Sequence, residues 1–219
     1  MILIFDLDDT LYDEINYVKS GFKEVSIHIF KKFSINKIDS FEFMMNELNE
    51  KGRGKVFNAL LEEYDIYNKK NLMKCIKVYR KHRPKIDLEQ DIFNSLAKLN
   101  KKYSTYLVTD GNKVVQKNKV EALGIGNLFK KIFITHRFGL KNAKPSLYCF
   151  EIIKKLERCN WSDLIYIGDN PHKDFVNLNK VGAKTARILN GSFKDYKAKK
   201  GYEAQVSYKN IRALLKDYE

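Results

Sequence analysis

From about Leu88 onward the chain alternates short β-forming runs with amphipathic helical stretches, and that alternation admits few folds. Helical spacing near Leu88–Leu99 gives way to Ser104–Val108, a run of strand formers. Lys113–Leu123 is helical and closes at Gly124, a residue suited to a helix C-terminus. Ile132–Ile134 reads as a strand, Leu147–Arg158 as a helix, Leu164–Ile167 as a strand and Phe175–Lys180 as a helix. Lys184–Ile188, a short strand near Ala204–Val206 and a helix from Asn210 complete the series. Strands joined through helices of about 10–15 residues require crossovers, which run right-handed and place helices on both faces of a parallel sheet. The opening run Ile2–Phe5 suits a strand buried on both faces. The sequence therefore predicts an α/β fold with a helix-covered parallel sheet, and in such sheets ligands gather beyond the carboxyl ends of the strands.

Between the first strand and this alternation lies a segment of different character. Val18, Phe22, Val25, Ile29 and Phe33 recur at helical spacing, as do Phe57, Leu60, Leu61 and Tyr64, and Leu72, Cys75, Ile76 and Tyr79. Weak breaks at Ser34 to Ser40, Lys51 to Gly54 and Tyr67 to Lys70 divide it into three or four helices, and Pro84 closes it. The expected organisation is a core of residues 1–12 and 87–219 carrying an all-helical insert of residues 13–86.

Composition removes several classes of function. With 44% hydrophobic residues, 11 glycines and 3 prolines among 219, the chain is neither disordered nor collagenous. No apolar run approaches the roughly 20 residues of a membrane helix, so no membrane partner is expected, and the N-terminus lacks the basic leader of a signal peptide. Three cysteines without CxxC spacing read as reduced thiols of a cytoplasmic protein. The net charge of +14 arises from basic residues scattered in pairs such as Lys101-Lys102 and Lys154-Lys155, so no specific nucleic-acid partner is expected. A positive field still favours the arrival of a small anionic substrate.

Chemistry concentrates at four strand ends. The first strand ends Asp6-Leu7-Asp8-Asp9-Thr10, where clustered carboxylates repel one another unless a cation or basic group sits among them, although the same run also makes an acidic turn open to solvent. Mg²⁺, with its preference for oxygen ligands, suits that place. The second core strand ends Thr109-Asp110-Gly111-Asn112, offering a hydroxyl and the backbone N–H groups of a Gly-containing turn to an anion, although the same residues also make an ordinary turn with a helix cap. Lys144 precedes Pro145 and so has an extended backbone. The fourth tip, Gly168-Asp169-Asn170-Pro171-His172-Lys173-Asp174, presents Asp169 and, about a turn later, Asp174. His172 stays outside the mechanism as a lone loop histidine.

In their order and spacing these motifs resemble the haloacid dehalogenase-like hydrolases, specifically the phosphatases with a helical cap inserted after the first motif. The resemblance covers nearly the whole chain and implies a Rossmann-like catalytic core. It implies Asp6 as the nucleophile that becomes an aspartyl-phosphate, and Asp8 as general acid and base with a raised pKa. It implies Mg²⁺ held by the Asp6 carboxylate, the Asp8 main-chain carbonyl and Asp169, with Asp174 as a second acidic support. Thr109, Asp110, Gly111 and Lys144 become the phosphate-binding positions. Many relatives have Asn where Asp110 stands, so its carboxylate is expected to turn away from the anion. Asp8 favours phosphoryl chemistry over dehalogenation, because a halide leaves without a proton. Tyr12 and Arg53 are the candidate substrate contacts, with Arg80, His82 and Arg83 as further candidates near the end of the insert.

The expected function is Mg²⁺-dependent hydrolysis of a small phosphorylated metabolite, such as a sugar phosphate, nucleotide or phosphoglycolate, by a monomer or homodimer. A phosphomutase carries the same motifs. A phospho-receiver domain combines similar residues, but lacks a cap and places its phosphorylated Asp on a later strand. A basic nucleic-acid-binding protein with a silent phosphatase fold is a third alternative.

Overall fold

A computed structural model describes residues 1–219 and divides them into two compact units, Met1–Glu14 with Asp87–Glu219, and Ile15–Ile86. The first unit is built on six parallel strands: β1 (Ile2–Phe5), β2 (Ser104–Thr109), β3 (Lys131–Ile134), β4 (Leu164–Gly168), β5 (Lys184–Ile188) and β6 (Val206–Tyr208). Their order across the sheet is β3-β2-β1-β4-β5-β6. The α/β, Rossmann-like expectation holds.

β1 and β4 are buried along their whole lengths, which is why they read as unbroken apolar runs rather than alternating ones. β1 pairs with β2 on one side and β4 on the other, with Phe5 opposite both Leu107 and Ile167. The connections therefore diverge around β1, and the carboxyl ends of β1, β2 and β4 open onto the crevice where doubly wound sheets bind ligands. Beneath it Ile4, Tyr106, Val108, Phe133, Phe150, Ile153, Tyr166 and Phe175 form part of one continuous core.

The helices of the second unit are α1 (Glu14–Phe33, begun on the last residue of the first unit), α2 (Lys37–Lys51), α3 (Val56–Glu63) and α4 (Lys69–Lys81). They bury Val18, Phe22, Val25, Ile29, Met44, Leu60, Leu61 and Cys75 in a core of their own. Gly21 is a spacing residue here, since a Cβ would stand 2.4 Å from the Tyr79 ring.

The sheet is flanked by α5 (Gln90–Lys102), α6 (Lys113–Ala122), α7 (Tyr148–Glu157), α8 (Val176–Lys180) and α9 (Ile211–Tyr218). Among the boundaries that differ from the sequence pattern, two have plain local reasons. The last strand starts at Val206 rather than Ala204, because the Gln205 amide bonds Thr185 Oγ1 and its side chain bonds the Ala183 carbonyl, and ladder pairing begins one residue later. α5 runs on to Lys102, where the Tyr103 N–H still reaches the Leu99 carbonyl at 2.8 Å. No helix is long and apolar enough to cross a membrane.

Candidate active site

The turn after β1 is anchored by its apolar residues. Leu7 and Leu11 are buried, and the Leu11 N–H bonds the Leu7 carbonyl at 3.0 Å. Asp6 continues the β1–β4 ladder by donating its N–H to Ile167 at 2.8 Å, so its carboxylate projects from the sheet's carboxyl edge.

Lys144 lies almost wholly buried, with Nζ 3.0 Å from Asp6 Oδ1 and 2.8 Å from Asp174 Oδ1. It also donates to the Tyr166 hydroxyl at 2.7 Å, and the Asn170 N–H caps Asp174 Oδ2 at 2.8 Å. Burial opposes charge on Lys144, but Asp174 and Asp6 outweigh it and hold the ammonium well above its usual range. The backbone of Lys144 is held as well. Its N–H donates to Asp110 Oδ1 at 3.1 Å, which also accepts from Thr135 Oγ1 at 2.5 Å.

Asp6, Asp169 and Asp174 each bring a carboxylate oxygen within 4.8 Å of the others. Burial and Asp174, against the opposing Lys144, push Asp6 up to about 6. Burial, Asp174 and Asp6 push Asp169 up to about 9. A convergent set of buried hard oxygen donors, of which Asp6 and Asp169 resist ionisation, is the environment that a divalent cation relieves, so these residues fit Mg²⁺.

Asp8 departs from expectation. Burial pulls its pKa upward, but the Lys119 ammonium and hydrogen bonds from Lys119, Tyr12 and Gln116 prevail and hold the carboxyl below its usual range. The raised pKa expected for an acid beside Asp6 is therefore not the state of the ligand-free protein. Lys119 Nζ lies 2.6 Å from Asp8 Oδ1 and 3.0 Å from Glu14 Oε1.

Thr109 is buried, and its Oγ1 accepts from Gln116 Nε2 at 2.6 Å. Gly111 has φ +136, and a Cβ there would press on Gln116 at 3.1 Å, so the turn into α6 requires glycine. The Asn112 side chain caps α6 by accepting from the Val114 and Val115 amides, which commits those two donors to the helix.

Thus Asp6, Asp8, Thr109, Lys144, Asp169 and Asp174 all belong to this strand-end region of the core. The Asp110 carboxylate is engaged by Thr135 and the Lys144 N–H, so that side chain supports Lys144. Tyr12 is buried with its hydroxyl donated to Asp8 Oδ1 at 2.7 Å. Arg53 lies in the exposed turn between α2 and α3. His82 is buried, its ring packed against Tyr17 and Tyr79.

Sequence reasoning missed Lys119, Gln116 and Tyr166. Gln116 and Lys119 stand three apart on one helix face, the spacing that brings side chains together, but one lysine among many gives no sign of burial. Tyr166 shares a strand face with Gly168 two residues on, and only the fold sets its hydroxyl beside Lys144.

A family model described as haloacid dehalogenase-like hydrolase matches residues 3–188. The chain belongs to this family. Among curated relatives, a glyceraldehyde 3-phosphate phosphatase of Methanocaldococcus jannaschii is 29% identical over 201 residues, covering 88% of this chain and 86% of the relative. A glyceraldehyde 3-phosphate phosphatase of Pyrococcus furiosus is 24% identical, covering 88% and 82%. The HAD-hydrolase YfnB of Bacillus subtilis, solved bound to magnesium, superposes with a TM-score of 0.68 at 19% identity, covering all of this chain and 98% of that one. At that identity the likeness speaks to the haloacid dehalogenase-like fold.

Proposed function

We propose that this haloacid dehalogenase-like phosphatase hydrolyses a small phosphate monoester through an aspartyl-phosphate on Asp6, with Mg²⁺ as its cofactor. The observation that carries the reading is the placement of Lys144 Nζ 3.0 Å from Asp6 Oδ1, which gives a carboxylate nucleophile a fixed positive neighbour. An anionic nucleophile meets an anionic phosphate only where such charge offsets their repulsion. The Asp6 carboxylate, the Asp8 main-chain carbonyl and Asp169, with Asp174 behind, would hold Mg²⁺, which would supply further positive charge to offset that repulsion.

In the first step an Asp6 oxygen bonds to phosphorus as the ester P–O bond breaks, and Asp8 gives its proton to the departing alkoxide. The ester's negative charge beside Asp8 raises that carboxyl's proton affinity in the complex, counter to its low pKa in the free protein. In the second step Asp8 takes a proton from water as the water oxygen bonds to phosphorus. The acyl phosphate bond breaks, Asp6 returns as carboxylate and inorganic phosphate leaves. Thr109 and Lys144 hold phosphoryl oxygens through both displacements, and Asp110 keeps Lys144 in place.

The substrate class is a small phosphorylated metabolite, and the names of the curated relatives put glyceraldehyde 3-phosphate first among candidates. The helical unit, with Arg53 at its exposed turn, is the proposed source of selectivity. The test is phosphate release from glyceraldehyde 3-phosphate, sugar phosphates, nucleotides and phosphoglycolate, with and without Mg²⁺. Mg²⁺-dependent release that Asp6→Asn abolishes is expected. Undiminished turnover by Asp6→Asn overturns the reading.

A further inference from the structure

The two oxygens of the Asp8 carboxylate have unlike surroundings. Oδ1 accepts from Lys119 Nζ at 2.6 Å and from the Tyr12 hydroxyl at 2.7 Å. Oδ2 accepts from Gln116 Nε2 at 2.8 Å. A carboxylate oxygen has two lone-pair sites, so the two donors fill Oδ1 while Oδ2 retains one site. The same Gln116 nitrogen lies 2.6 Å from Thr109 Oγ1, which places Oδ2 on the side of the hydroxyl assigned to the phosphoryl group.

The hold on Oδ1 is rigid. The Lys119 side chain is 2% exposed, and Glu14 Oε1 fixes its ammonium from a second direction at 3.0 Å. A lysine pinned in this way keeps one geometry, whereas a solvated lysine samples many rotamers. Gln116 projects from the same face of α6, so one helix controls both oxygens.

We propose that Lys119 is a positioning residue for proton transfer. Together with Tyr12 it saturates Asp8 Oδ1 and leaves Oδ2 as the oxygen that exchanges a proton with the ester's leaving group. The proposal rests on the reading in which Asp8 protonates that group. Lys119 itself touches neither phosphate nor leaving group; it acts through the orientation of Asp8.

Leaving-group dependence tests it. An alkyl phosphate departs as a strongly basic alkoxide and needs the proton, whereas p-nitrophenolate leaves without one. The ratio kcat/KM reports the steps up to leaving-group departure, so it isolates the proton donation. With Mg²⁺ present, Lys119→Met is expected to lower kcat/KM for glycerol phosphate about 100-fold and for p-nitrophenyl phosphate less than about 10-fold. Tyr12→Phe should change the two in the same sense by a smaller factor, and Asp8→Asn sets the largest separation. A merely structural role slows both esters equally, and equal factors in Lys119→Met and Tyr12→Phe overturn the proposal, as does no change in either. If Lys119→Met does not fold, Tyr12→Phe decides alone. Wild-type protein inert toward every ester overturns the phosphatase reading itself, whereas an active wild type with an unaltered alkyl-to-aryl ratio in the variants overturns only the role of Lys119.

Discussion

Replacing Gly168 by alanine tests how tightly the acidic centre is built. A Cβ at this position would stand 2.5 Å from Asp174 Oδ2 and 2.9 Å from Asp174 Cγ, on the last residue of a buried strand. That is about 0.9 Å inside the 3.4 Å at which ordinary contact begins. Asp174 cannot swing aside freely: Oδ2 accepts the Asn170 N–H at 2.8 Å, and Oδ1 lies 2.8 Å from Lys144 Nζ. Overpacking of this kind costs about 1–3 kcal/mol, and a lost hydrogen bond to a charged acceptor about 1.5–3 kcal/mol. Loss of backbone freedom in the unfolded alanine chain returns about 0.4–1 kcal/mol, leaving a net destabilisation of about 2–5 kcal/mol. For a chain of this size that lowers Tm by roughly 5–15 °C. Calorimetry or dye-monitored melting measures it, with Gly126→Ala as the control. A Cβ at Gly126 meets nothing within 4 Å, and that variant should stay within about 0.5 kcal/mol of wild type. Phosphate release should fall in Gly168→Ala, since Lys144 loses its fixed partner. A Tm within about 2 °C of wild type, together with unchanged turnover, would refute the argument that Asp174 is immobile.

Stability should also report the acid cluster. Asp169 at about 9 and Asp6 at about 6 both titrate above the carboxylate range of an unfolded chain. The native protein therefore retains protons that the unfolded chain has released, and this contribution to stability is lost as pH rises through those values. Melting of the metal-free protein should soften between pH about 4, where unfolded carboxylates ionise, and about 9, while the Tm gained on adding Mg²⁺, which displaces those protons, should grow over the same interval. A gain that shrinks with rising pH contradicts the assignment. Lys144→Met removes the buried cation between Asp6 and Asp174 and should cost about 3–5 kcal/mol, read as a lower urea midpoint, with turnover lost even where the variant is folded. Asp110→Asn keeps an acceptor for Thr135 and the Lys144 N–H but loses the charge beside Lys173, 3.5 Å away. It should therefore retain most of the wild-type kcat, whereas Asp110→Ala should not.

What the sequence determined on its own is the periodic part of the protein. Apolar runs such as Ile2–Phe5 and Leu164–Ile167 cannot be solvated, so they specify buried strands. Helical spacing between them forces parallel crossovers, and parallel crossovers put Asp6, Thr109 and Asp169 at strand ends on one edge. Those positions were legible because each lies beside a pattern that many residues define together.

Tertiary structure alone decided which side chains meet across elements. Lys119 is separated from Asp8 by 111 positions and Tyr166 from Lys144 by 22, and nothing local to either residue distinguishes it from its neighbours. The partners of Asp110 were hidden for the same reason, since a carboxylate's neighbours depend on where β3 and the Lys144 turn arrive. So too with Asp8, whose charge state follows from a lysine on α6 that burial and ion pairing turn from a solubilising residue into part of the site. Burial and Coulomb interaction act through space, and the chain's linear order carries them only where a fold has already brought the charges together.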